Sequence, residues 1–163
     1  MITEAINNLM PQIESLETEQ QKRLLAEICK RQFFFYYEFC AKIGASADSF
    51  FLLLKALGTK NYSREITEEI KAFAPDTDDY AGSLAASKAV DACAILHQAY
   101  LFFDAPKSEI WKTVIELYLN VPEMIAEETG DETIFREELE ILEKWVTQCI
   151  SNQDFTANLA FAL

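Results

Sequence analysis

At 163 residues the chain is long enough to bury one sizeable core and short for two independent domains. Half of it is apolar, a quarter is charged, and 27 acidic against 14 basic side chains leave a net charge of −13. Such a surface repels phosphate backbones and anionic lipid, so neither nucleic acid nor membrane is expected as a partner. Nowhere do eighteen apolar residues follow one another, and Met1–Leu9 lacks the basic start of a secretory signal. The expected location is the cytoplasm. Cys29, Cys40, Cys93 and Cys149 stand singly among apolar neighbours, as free core thiols do in a reducing compartment. Cys29 and Cys40 lie on one predicted helix, roughly 16 Å apart along its axis, so they cannot bond to each other.

Helical periodicity runs through the whole chain and strand alternation is absent. Only 4 Gly and 4 Pro favour long helices over frequent turns. The first piece, Ile2 to Leu9, is expected to stop or bend at Pro11. Thr18 and Gln21 form a capping-box pattern that opens a long helix, which Gly44 closes. Its inward stripe is Leu25, Ile28, Cys29, Gln32, Tyr36, Phe39, Cys40 and Ile43. Phe33-Phe34-Phe35-Tyr36-Tyr37 is aromatic on every side, so the helix is central or partly interfacial. A second helix, Phe50 to Leu57, is capped by Ser46 or Asp48, is again apolar all round and ends at Gly58. Ser63 to Phe73 is plainly amphipathic. After the loop Pro75 to Asp79 comes an alanine-rich helix, Ser83 to Phe103, built for close approach.

Ser108 to Glu128 carries Pro122 in its interior, which predicts a kink or break near Asn120. The last helix places Phe135, Leu139, Leu142, Trp145, Val146 and Cys149 on one face. Beyond it, the segment 152–163 is apolar and short, and either packs back on the core or docks onto another chain. The expectation is all-α: a single compact bundle of six to seven helices, with long central helices and a Pro-kinked fifth.

Two sets of residues are candidates for function. Asp91, Cys93 and His97 lie on one helix otherwise made of small and aliphatic residues, where an unpaired charge is costly. Ser87, Lys88, Arg31, Tyr36 and Tyr37 are the candidate partners for Asp91. Cys93 and His97, four apart, project from one face, but two ligands do not make a zinc site, and a single histidine argues against a carboxylate-bridged di-iron centre. No metal or other cofactor is implied. Asp76, Asp78 and Asp79 fail the calcium-loop pattern, because Ala81 and Ser87 stand where a glycine and a glutamate are needed. One of these aspartates is expected to cap a short turn leading into the next helix. No nucleophile elbow and no glycine-rich phosphate loop occurs. The second set is apolar: Phe33, Phe34, Tyr37, Phe50 and Phe51 are candidates for an interface. The acidic residues of the C-terminal half, Glu137, Glu138 and Glu140 among them, read as a solvated face.

Cys29, Arg31, Tyr36, Phe39, Cys40 and Gly44, the loop Pro75-Asp76-Thr77-Asp78-Asp79-Tyr80 and the stretch Ala89-Val90-Asp91-Ala92-Cys93 together resemble the YjaG-like proteins, a bacterial family of unknown function. The resemblance covers about Leu25 to His97. It implies an all-helical fold and leaves function open, since the family has no assigned activity. Surplus apolar surface without a catalytic constellation makes the first expectation a non-enzymatic protein–protein interaction module, homodimeric, with a further protein partner open. The alternative is a small-molecule or metal-binding protein, or an enzyme, with Asp91, Cys93 and His97 joined by Arg31 and Tyr36.

Overall fold

In the computed structural model, which describes residues 1–151, seven helices follow one another without a strand among the described residues. They are α1 (Ile2–Glu14), α2 (Thr18–Ile43), α3 (Asp48–Ala56), α4 (Arg64–Phe73), α5 (Leu84–Asp104), α6 (Ser108–Thr129) and α7 (Thr133–Ile150). The fold is all-α. The expected docking of the segment 152–163 lies outside the described residues.

The centre is the pairing of α2 with α5. Ala89, Ala92 and Ala99 are fully buried on α5, and side chains this small let two helix backbones come close. Leu24, Leu25, Ile28 and Cys29 of α2 are likewise inaccessible to solvent. On the other side of α5 lies α6, and α1 and α7 pack on α6. α1 runs antiparallel to α6, since the Ile2 amide reaches Glu123 at 3.0 Å. α7 is antiparallel to α2: Gln20 donates to the Cys149 carbonyl near one end and Arg31 bonds Glu138 further along. α3 and α4 cover the remaining flank through an aromatic cluster. There Tyr36 stacks on Phe50 at 5.0 Å, and Phe73 meets both rings within 6 Å.

Several local expectations are corrected. α1 does not stop at Pro11 but continues to Glu14. Pro11 sits in the last turns on the solvent side and removes one N–H donor, while Leu9 and Ile13 hold the helix to the core. α6 runs unbroken through Pro122. Its ring is buried, Val121 beside it is core, and Asn120 is fixed by a hydrogen bond to Asp91, so packing on both sides outweighs the lost bond. The capping box of α2 lies one residue earlier than expected: Glu17 is the cap and Gln20 closes the box. Gln21 is drawn away, accepting from the Trp111 indole at 2.9 Å. Gly44 does end α2, in the left-handed conformation at φ 70°, which a side chain would strain. Ile43, expected inward, is exposed one residue before that turn.

Candidate functional site

The candidate residues do not converge on one point. Tyr36 is buried against Phe50 and donates its hydroxyl to the Phe73 carbonyl at 2.9 Å, so it ties α2 to the end of α4. Burial raises the Tyr36 phenol above its ordinary range, and its hydrogen bond with Cys40 adds to this. Cys93 is buried close enough to Cys40 for the two to interact electrostatically, and burial holds its thiol far above the usual value. His97 turns elsewhere. Its Nε2 is 3.0 Å from the Thr67 hydroxyl, which also bonds Tyr62 at 2.9 Å. Burial, then the Lys71 charge, lowers the His97 pKa and keeps the ring neutral. On α5, Cys93 therefore meets α2 while His97 meets α4, and the two do not share one ligand site. Among the described residues no three His, Cys, Asp or Glu side chains gather as metal ligands would.

Asp91 and Arg31 do belong to one region, a polar seam where α2, α5, α6 and α7 meet. Arg31 grips Glu138 with two bonds, Nε to Oε2 at 3.1 Å and Nη2 to Oε1 at 2.6 Å. Tyr118 of α6 donates to the same carboxylate at 2.7 Å. Burial works against the Arg31 charge, but the Glu138 bond and the acidic groups facing it outweigh that cost and raise its pKa. Glu138 is thus corrected from a solvated position to the anchor of an interhelical fork.

Asp91 accepts from Asn120 Nδ2 at 2.9 Å. None of the candidate partners proposed for it makes this bond, although Lys88 lines the same cleft. Burial pushes the Asp91 carboxyl up to about 6, opposed by the Asn120 bond. The cleft between Gln32, Lys88, Asp91, Tyr118, Pro122 and Glu138 encloses about 20 Å³. That is room for about one water molecule, because one needs roughly 10–15 Å³. A small organic molecule does not fit.

No sequence pattern marks Asn120, Tyr118 or Glu27 as part of a polar cluster. Glu27 is 1% exposed; Lys30 bonds one carboxylate oxygen at 2.9 Å, while the other has no hydrogen-bond partner among the described residues. A glutamate three residues before a lysine looks like an ordinary surface pair, so nothing in the pattern marks it. Arg31 did carry a signal, since an arginine between Cys29 and Phe33 on a core helix needs an acid from another element. The loop aspartates make no site: Asp76 accepts from the Asp78 amide at 2.9 Å in an exposed turn. Asp76 so caps the short turn that leads towards α5, whose own cap is Ser83, its hydroxyl receiving the Ala86 amide.

The aromatic candidates divide by helical angle. Phe33 and Phe50 are buried in the core and face away from any partner, which corrects their placement at an interface. Phe51 is half-buried against Phe33, whereas Phe34 and Tyr37 are 45% and 51% exposed. Leu52 on α3 is more open still, at 64%. Among the described residues, no helix is long and apolar enough to cross a membrane. Compared with known proteins, the chain matches no family model, no curated protein and no solved structure.

Proposed function

We propose that the chain is a non-enzymatic interaction module that works through protein–protein contacts, the first of them with its own kind. One observation carries this reading: Phe34, Tyr37 and Leu52 stand exposed on neighbouring helices, while the polar seam around Asp91 and Arg31 leaves a cavity of only about 20 Å³. Exposed aromatic and aliphatic groups are what interfaces use. The seam, by contrast, spends Arg31, Tyr118 and Glu138 on one another and leaves a substrate little room. Cysteines that are all buried and unbridged support placement in a reducing cytoplasm. Membership of the YjaG-like family belongs to the same proposal. It is supported by the burial of Cys29, Cys40 and Cys93 at the α2–α5 core, the helices that carry most of the resemblance.

Sedimentation of the full chain across a dilution series tests the reading. The expected result is a monomer–dimer equilibrium with a Kd on the order of 1 μM, equivalent to about 8 kcal/mol. A strictly monomeric species at tens of micromolar removes self-association.

A further inference from the structure

Two chains that each carry −13 repel each other unless they meet where the charge is cancelled. From Asp48 to Phe73 the chain holds four acids, Asp48, Glu65, Glu68 and Glu69, and four bases, Lys55, Lys60, Arg64 and Lys71. The whole negative excess therefore lies outside α3, α4 and the loop between them. This neutral flank is also where Leu52 stands out. Beside it an open groove of about 460 Å³ runs between α3 and α4, floored by Leu53, Ala56, Ala72 and Phe73 and rimmed by Lys60 and Glu69.

We infer that this groove is the surface through which two copies of the chain pair about a two-fold axis, Leu52 of each entering the groove of the other. The inference rests on the reading that the chain self-associates, and goes beyond it by naming the face. A two-fold contact needs a patch that complements itself. This one does so in shape, with a projecting leucine beside an apolar trough. It does so in charge as well. Within one chain Lys60 and Glu69 bond each other at 3.4 Å, both about half-exposed. Opposed across a two-fold, each lysine can exchange its own glutamate for the partner's with no net charge brought in. A basic partner, which the overall charge would favour, finds no excess of acids among the flank's own residues. Phe34 and Tyr37 lie on α2 and are not part of the groove.

The test uses three variants of the full chain in native mass spectrometry and sedimentation. Leu52→Glu is expected to weaken the dimer roughly 30-fold or more, the scale of a buried anchor. Lys60→Glu and Glu69→Lys, both at exposed positions that leave the helices intact, are each expected to give monomers through like-charge repulsion. Mixed in equal amounts, these two are expected to recover a heterodimer, because every pair across the axis is again of opposite sign. A fold defect cannot produce that rescue. A wild-type dimer unaffected by Leu52→Glu, or a mixture that stays monomeric, overturns the groove while leaving self-association standing. Wild-type chain that is itself monomeric overturns the underlying reading instead.

Discussion

Asp91 is an aspartate held by a single amide on a helix of alanine and aliphatic residues. Its carboxyl titrates near 6 in the folded chain, against about 4 when unfolded, because burial disfavours the charge more than Asn120 favours it. The folded state therefore binds this proton more tightly than the unfolded state. Its contribution is most favourable below pH 4 and is lost as the pH rises towards 6, a cost of about 3 kcal/mol at most. Asp91→Asn keeps a hydrogen-bonding partner for Asn120 and removes the charge. In urea denaturation the variant is expected to be more stable than wild type at pH 7, with the gap closing as the pH falls to about 4. A gap that does not change with pH contradicts this account. At this scale the sequence was half legible. The cost of a carboxylate among apolar residues could be read directly, but Asn120 lies 29 positions away on a helix where nothing distinguishes it.

The helices themselves were the most readable level, since α4 and α7 carry clean apolar stripes and glycines mark the ends of α2 and α6. What misled was proline. Local sterics argue for a stop or bend at Pro11 and a kink or break at Pro122; neither helix ends there, because the flanking residues are anchored so firmly that the helix tolerates the missing donor. The tolerance has a cost, and Pro11 is where it can be measured, because its ring is exposed and contributes little packing. Pro11→Ala is expected to stabilise the chain by about 1–3 kcal/mol, read as a raised melting temperature. An unchanged or lowered value would mean that proline is preorganising the end of α1 instead. The misplaced capping box of α2 has a similar origin: Gln21 suits either role, and Trp111, far off in sequence, decides it.

On the scale of the whole molecule, composition fixed the charge but not its distribution. Twenty-seven acids on a chain this small repel one another, and the neutrality of the α3–α4 flank concentrates them on the rest of the surface. Salt is therefore expected to stabilise the fold. Raising ionic strength from about 0.01 M to about 1 M shortens the screening length from about 30 Å to about 3 Å. The melting temperature should climb over that range at a protein concentration low enough to keep the chain monomeric. A fall would give the ion pairs, chiefly Arg31 with Glu138, the larger share of stability. Which aromatic residues face outward was also illegible in one dimension. Phe33 and Phe34 are adjacent and chemically identical; the 100° between them, read against the position of α3, sends one into the core and leaves the other exposed.

The four buried thiols have one more implication. Each is shut away from solvent, and burial raises the pKa of every one, Cys149 to about 11, so the reactive thiolate is almost absent while the fold is closed. Oxidants and alkylating agents must wait for a helix to lift away. The rate at which these sulfurs are consumed is then a clock for the opening of the bundle: ageing of this protein in air is paced by its own breathing.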